Sequence, residues 1–122
     1  MSLRCIIVDD SPGFLRSARA LLEREGLTVV GVASTGAEAV QRAEDLRPDV
    51  LLLDIDLGEE SGFELARRME AEVGLPAQTV ILISTHAEED FADLIADAPV
   101  AGFLPKADLS GGAIRRLLGR SG

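Results

Sequence analysis

Four short apolar runs in the chain each end at a reactive polar side chain. Runs of this length without internal polar residues are typical of strands buried on both faces of a parallel sheet. The runs, each with the residue that follows it, are Cys5–Val8 with Asp9 and Asp10, Val50–Leu53 with Asp54, Val80–Ile83 with Ser84, and Ala101–Pro105 with Lys106. Because parallel strands end along one edge of a sheet, we expect these polar groups to converge in the crevice where α/β sheets bind ligands.

Helical segments alternate with the strands, and no linker, repeat or low-complexity tract divides the chain. The sequence therefore predicts one domain over residues 1–122. We expect a doubly wound, flavodoxin-like α/β fold, (βα)5, with five parallel strands in the order 2-1-3-4-5. The predicted helix starts are Ser11-Pro12, the capping box Thr35/Glu38, Ser61-Gly62, Glu88 and Asp108–Ser110. The remaining predicted strands are Leu27–Ala33, Asp49–Leu53 and Thr79–Ile83. Within the fourth helical segment, Glu88–Ala98, apolar residues recur at helical spacing at Phe91, Leu94 and Ile95.

Acidic residues outnumber basic ones by 21 to 12, giving a formal charge of −9, which argues against direct nucleic-acid binding. An apolar fraction of 47% argues against disorder. No apolar run approaches the roughly 18 residues of a membrane span. Met1–Arg4 leads directly into the first strand, so no signal peptide is predicted and the expected location is the cytoplasm. The single cysteine, Cys5, is predicted to be a core residue.

The three carboxylates predicted at the sheet edge would repel one another unless a cation neutralises them. Taken singly, Asp9 or Asp10 could cap the first helix, and Asp54 could begin a turn. Taken together they offer the hard oxygen ligands that Mg²⁺ prefers, and Mn²⁺ is the alternative ion. Lys106 is the only lysine of the chain, and a compact ammonium suits a phosphate as a point charge. The combination predicts a site for a divalent cation and a phosphoryl group.

These residues resemble the receiver (CheY-like) domain of bacterial two-component response regulators over nearly the whole chain. The matching segments are Val8-Asp9-Asp10, Leu52-Leu53-Asp54, Ser61–Leu65, Ile83-Ser84 and Gly102–Lys106. The resemblance implies that Asp54 is the phosphoacceptor. It also implies that Asp9 and Asp10 hold Mg²⁺ together with Asp54, and that Asp56 contributes its main-chain carbonyl. Ser84 and Lys106 would contact the phosphoryl group, and Phe103 would be an aromatic switch that turns inward on activation.

By the same resemblance the chain is a signalling phosphoacceptor that catalyses only its own phosphorylation and dephosphorylation. Its expected partner is a sensor histidine kinase. Its expected output surface comprises the fourth helix, the fifth strand and the fifth helix, through which it could also form a homodimer. The Leu104–Leu109 stretch is similar to receivers that precede a helix-turn-helix domain of the LuxR/NarL type, which implies a role in transcription regulation.

Several positions depart from the receiver pattern, among them Thr85, where a smaller residue is usual, Asp56, which adds a carboxylate, and two residues of the loop after Asp54. Gly58 stands where the family usually has proline, and Glu60 where it usually has an apolar residue. We therefore expect a more flexible and more acidic loop after Asp54, with consequences for Mg²⁺ affinity and for the lifetime of the phosphorylated state. His86, the only histidine, is interpreted as an ordinary loop residue.

Two other functions remain open at this stage. One is a receiver-like interaction module that works without phosphorylation, and the acidic loop is the feature that favours it. The other is a haloacid dehalogenase-like phosphatase, suggested by Leu53–Asp56 after an apolar strand. That class carries its acidic pair late in the chain, whereas Asp9 and Asp10 come first here.

Overall fold

A computed structural model of the chain describes residues 3–58 and 60–119. Its centre is a sheet of five parallel strands in the order β2-β1-β3-β4-β5, as the sequence predicts. The strands are β1 (Arg4–Val8), β2 (Thr28–Ala33), β3 (Val50–Asp54), β4 (Val80–Ser84) and β5 (Gly102–Pro105). The first strand begins one residue earlier than predicted and the other four begin one residue later, and the third and fourth also end one residue later.

Five α-helices within the described residues connect and cover the strands. They are α1 (Pro12–Arg24), α2 (Gly36–Leu46), α3 (Gly62–Arg68), α4 (Ala92–Asp97) and α5 (Gly111–Leu117). The hydroxyl side chains that the sequence placed before four of the helices each accept a hydrogen bond from a backbone N–H of the first turn. These caps are Ser11, Thr35, Ser61 and Ser110. Each cap satisfies a helical N–H that has no partner within the helix.

Alternating side chains of the strands form two hydrophobic clusters, one on each face of the sheet. Ile6, Leu51 and Leu82 lie in the cluster that includes residues of α2 and α3. Ile7 and Leu52 lie in the cluster that includes residues of α1 and α5. Burial on both faces explains why β1, β3 and β4 consist of continuous apolar residues.

Cys5 lies in β1 and its side chain is fully buried, as the sequence predicts. Burial without a charged partner disfavours the thiolate and raises the pKa of the Cys5 thiol to about 12. In its native environment Cys5 is therefore a small apolar core residue.

Beyond the strand boundaries, two elements differ from the predictions. Asp56–Leu57 and Glu60–Ser61 form a short antiparallel pair that the sequence did not indicate. The fourth helical segment begins with a 3₁₀ turn at Glu88–Phe91, so its α-helix is shorter than predicted. Leu94 is consequently 49% exposed, whereas Phe91 and Ile95 pack against the core.

No helix within residues 3–58 and 60–119 has the length and apolar character that a membrane span needs.

Candidate functional site

Three aspartates meet at the carboxyl edge of the sheet. Asp9 and Asp10 follow β1, and Asp54 is the last residue of the neighbouring strand β3. One oxygen from each carboxylate lies within 4.8 Å of the others. Asp9 and Asp54 are buried and Asp10 is exposed, so the cluster opens to solvent on one side.

Lys106 supplies positive charge beside this cluster. Its Nζ lies 2.5 Å from Asp9 Oδ2 and 3.6 Å from Asp54 Oδ2. The ammonium also lies 4.4 Å from the centroid of the Phe14 ring, within the range of a cation–π interaction. Only 16% of the Lys106 side chain is exposed. Both carboxylates and the ring therefore restrain the ammonium, which reaches the edge because Lys106 directly follows β5.

The surroundings of Asp54 disfavour its charged form. Burial is the largest cause and the negative charge of Asp9 the next, and together they raise the pKa of the Asp54 carboxyl to about 6. The Lys106 ammonium acts in the opposite direction, as does the Asp56 N–H, which donates a hydrogen bond of 3.3 Å to Asp54 Oδ1. Asp54 is therefore mostly ionised at neutral pH, and its ionisation is costly in the absence of further positive charge.

The chemistry of Asp9 tests whether these residues fit a divalent cation. Its Oδ1 accepts a hydrogen bond of 2.9 Å from the Ser11 N–H. Its Oδ2 is buried and, within the described part of the chain, accepts no hydrogen bond of acceptable geometry, although Lys106 forms an ion pair with it. A buried carboxylate oxygen that accepts no hydrogen bond from the described residues and lies beside two further carboxylates fits a hard cation that takes oxygen ligands and keeps several waters.

Ser84 ends β4 and is buried at the same edge of the sheet. Its Oγ accepts a hydrogen bond of 3.0 Å from the His86 N–H, and His86 Nδ1 lies 3.4 Å from the same oxygen. The His86 ring also makes an edge contact with Phe91, with the ring centroids 5.9 Å apart. His86 thus contacts two elements near the site, which its interpretation as an ordinary loop residue did not anticipate.

Phe103 on β5 is 4% exposed and already lies within the core. Its ring centroid is 6.4 Å from that of Phe91, which is in turn 6.0 Å from that of Phe63. Its expected role as an aromatic that turns inward on activation stays a prediction; in this structure its side chain is buried.

The extra acidic residue of the loop after Asp54, Glu60, has an ion-pair partner in the structure. Both carboxylate oxygens of Glu60 lie 3.0 Å from Arg68 Nη1, so an arginine on α3 pairs with the extra acidic residue. Gly58 has φ of +79°, a conformation that proline cannot adopt because its ring fixes φ near −65°. The exchange of proline for glycine therefore permits a different backbone path. Asp56 is exposed at the mouth of the site.

The start of α3 packs directly against the backbone of the candidate phosphoacceptor. The Gly62 N–H donates a hydrogen bond of 2.7 Å to the Ile55 carbonyl. A Cβ atom at Gly62 would lie 2.5 Å from the carbonyl oxygen of Asp54, so only glycine fits there. This contact gives a physical reason for the Ser61-Gly62 motif.

The doubly wound sheet, with clustered aspartates and a lysine at its carboxyl edge, defines an α/β domain with a candidate cation site. Residues 5–111 match the family described as the response regulator receiver domain. The chain therefore belongs to the receiver domain family, as its motifs indicate.

Relatives and solved structures agree with this assignment. A protein-glutamate methylesterase/protein-glutamine glutaminase from Alkalilimnicola ehrlichii is 35% identical over 114 residues, covering 91% of this chain and 29% of the relative. The receiver domain of a modulated diguanylate cyclase from Desulfovibrio desulfuricans G20 superposes with a TM-score of 0.78 at 32% identity, covering 98% of this chain and 92% of the other. A two-component response regulator of the LuxR family from Aurantimonas sp. SI85-9A1 superposes with a TM-score of 0.84 at 26% identity, covering 98% and 88%.

The chain thus spans less than a third of the length of the methylesterase that it resembles. The three proteins are named as a methylesterase/glutaminase, a modulated diguanylate cyclase and a LuxR-family response regulator, so similarity of the receiver alone does not identify an output.

Proposed function

We propose that this receiver accepts a phosphoryl group on Asp54 in a Mg²⁺-dependent reaction and thereby switches a signalling output. The observation that carries the proposal is the cluster of Asp9, Asp10 and Asp54 around the single lysine, Lys106. Phosphoryl transfer depends mainly on positioning and charge neutralisation, and this arrangement is suited to both.

Asp54 is the nucleophile in this proposal. One of its carboxylate oxygens attacks the phosphorus of the donor, a new O–P bond forms, and the bond from phosphorus to the donor breaks with its electron pair leaving on the donor. The donor is a phosphohistidine of a sensor histidine kinase or a small acyl phosphate such as acetyl phosphate. The product is an aspartyl acyl phosphate.

The remaining residues of the site neutralise charge and sense the product. Asp9, Asp10, Asp54 and the main-chain carbonyl of Asp56 would hold Mg²⁺, or Mn²⁺, which supplies a Lewis acid for the phosphoryl oxygens when bound. Lys106 pairs with a phosphoryl oxygen as a point charge. The Ser84 hydroxyl accepts from the His86 N–H, and in this proposal it would donate its own hydrogen to the phosphoryl group.

Phosphorylation adds up to two negative charges and three acceptor oxygens at the end of β3. Movement of Ser84 toward them would alter its contact with His86 and, through the His86 and Phe91 rings, the packing of Phe103. We propose that the α4-β5-α5 face transmits this change, either to a following output domain such as a transcription regulator or to a second copy of the chain. The reaction would take place in the cytoplasm, and the chain would act on its own aspartate rather than on a separate substrate.

Intact-mass measurement with acetyl phosphate and Mg²⁺ tests the proposal. The wild-type protein should gain one phosphoryl group, and the gain should disappear when EDTA is present. Asp54→Asn should abolish it, whereas Asp45→Asn, on the exposed surface of α2, should leave it unchanged. Equal modification of the Asp54→Asn variant would assign the acceptor to another residue. No modification of the wild type would favour an interaction module that works without phosphorylation.

A further inference from the structure

Glu60, Arg68 and Gly36 join three elements beside the candidate site. Glu60 lies in the short antiparallel pair after β3, Arg68 is on α3, and Gly36 is the first residue of α2. Arg68 Nη1 is 3.0 Å from both Glu60 oxygens, and Arg68 Nε is 3.0 Å from Glu72 Oε2. Arg68 therefore binds two carboxylates, of which only Glu60 belongs to the loop after Asp54.

The carboxylate of Glu60 occupies the space that a side chain at position 36 would need. A Cβ atom built on Gly36 would overlap Glu60 Oε1 and would lie 3.3 Å from Arg68 Nη1. This location is at the N-terminus of α2, the positive end of the helix dipole, where a carboxylate is favoured. Glycine at position 36 thus makes room for the Glu60 carboxylate.

Hydrogen bonds connect Glu60 to the candidate metal site. Glu60 pairs with Leu57, and Asp56 pairs with Ser61, across the short antiparallel pair. The Asp56 N–H donates to Asp54 Oδ1. The segment that would present the Asp56 carbonyl to a metal ion is therefore fixed at one end by β3 and at the other by Glu60 and α3.

We propose that Glu60 is a positioning residue, which holds the Asp56 carbonyl in place for Mg²⁺ by bridging Arg68 and the start of α2. This role rests on the proposed function, because it assumes that Asp56 is a metal ligand. A ligand that is held in its binding geometry before the ion arrives costs less conformational entropy on binding. Loss of the bridge should accordingly weaken Mg²⁺ binding without removing any coordinating atom.

Three single variants separate position from charge. Gly36→Ala displaces the Glu60 carboxylate without altering any charge. Glu60→Ala removes the carboxylate. Glu72→Gln is the matched control, because it removes one negative charge from the other partner of Arg68 and leaves the loop untouched. The first two should each weaken Mg²⁺ binding about threefold, the size expected for a partly exposed ion pair. The control should retain wild-type affinity.

NMR titration with Mg²⁺ gives the dissociation constants, and ¹⁵N relaxation of the metal-free proteins gives a readout that needs no ion. In the metal-free state the amides of residues 56–58 and 60–61 should become more mobile in Gly36→Ala and Glu60→Ala only. In the Gly36→Ala/Glu60→Ala double variant the two effects should not add, because no carboxylate remains to be displaced.

Additive effects in the double variant, or equal weakening by Glu72→Gln, would overturn the positioning role in favour of independent or purely electrostatic effects. Unchanged Mg²⁺ affinity in both Gly36→Ala and Glu60→Ala, with normal binding by the wild type, would reject this inference and leave the proposed function standing. Failure of the wild-type protein to bind Mg²⁺ at all would reject the metal site and the positioning role together.

Discussion

Asp54→Asn should stabilise the metal-free protein at neutral pH, although it removes the proposed phosphoacceptor. Burial and the Asp9 charge raise the pKa of Asp54 to about 6, from an ordinary value of 3.8. The folded state therefore binds the Asp54 proton more tightly than the unfolded state does. As the pH rises from about 4 through 6, ionisation of Asp54 costs folding free energy, and the full cost is present above pH 6.

The size of the effect follows from the difference in pKa. A difference of about two units corresponds to roughly 3 kcal/mol at neutral pH, which we take as an upper bound because the apoprotein can relax around the charge. Asparagine cannot ionise, and its side-chain oxygen can still accept the hydrogen bond from the Asp56 N–H. The variant should thus gain on the order of 2 kcal/mol at pH 7.5 and almost nothing at pH 4.

Urea unfolding in EDTA, followed by far-UV circular dichroism at both pH values, measures the gain. Circular dichroism is the suitable probe because the chain has no tryptophan or tyrosine. Asp45→Asn on the exposed face of α2 is the control and should leave stability nearly unchanged. An Asp54→Asn protein that is no more stable than wild type at pH 7.5, or one whose advantage persists at pH 4, would refute the electrostatic reasoning.

Three further variants test the other groups of the site. Lys106→Met should destabilise the metal-free protein by about 3 kcal/mol in urea unfolding, because it leaves Asp9 buried without its counter-charge. Adding Asp9→Asn to the Lys106→Met protein should recover much of the lost stability, and no recovery would mean that the two groups act separately. Asp10→Ala should weaken Mg²⁺ binding in an NMR titration and raise the melting temperature without metal; a lower melting temperature would contradict like-charge repulsion in the cluster. Ser84→Ala should still accept a phosphoryl group from acetyl phosphate but show smaller amide shift changes over residues 88–118 with beryllofluoride; shift changes equal to those of wild type would exclude the coupling through Ser84.

The sheet and the convergence of its polar ends could be predicted because parallel topology follows from buried strands, and topology alone brings their ends to one edge. Asp9, Asp54 and Lys106 are far apart in the sequence, yet each directly follows or ends an apolar run. The helix caps at Ser11, Thr35, Ser61 and Ser110 could be predicted for a similar reason, since they depend on residues three positions apart.

Contacts that depend on the direction of individual side chains could not be predicted. The placement of Phe14 over Lys106 joins residues of α1 and the end of β5, and no local pattern encodes it. The pairing of Glu60 with Arg68 was missed because a charge in a loop gives no indication of its partner. Helical spacing placed Leu94 on the same apolar face as Phe91 and Ile95, but its side chain is exposed. The preceding 3₁₀ turn has three residues per turn rather than 3.6, which changes the direction of the side chains that follow.

Alkylation of the buried Cys5 thiol can report when the core around β1 becomes accessible to solvent. A thiol that is fully buried, with a pKa of about 12, cannot react with an alkylating reagent in the folded molecule, whereas the same thiol in an unfolded chain ionises near pH 8.5. Because Cys5 is the only cysteine and lies in the strand that leads to Asp9, each labelled molecule records one event in which β1 became accessible. The labelling rate under native conditions, without denaturant, would then measure how often β1 becomes exposed. A comparison with and without a metal ion or a phosphoryl group at the edge of the sheet would show how strongly either one suppresses that exposure.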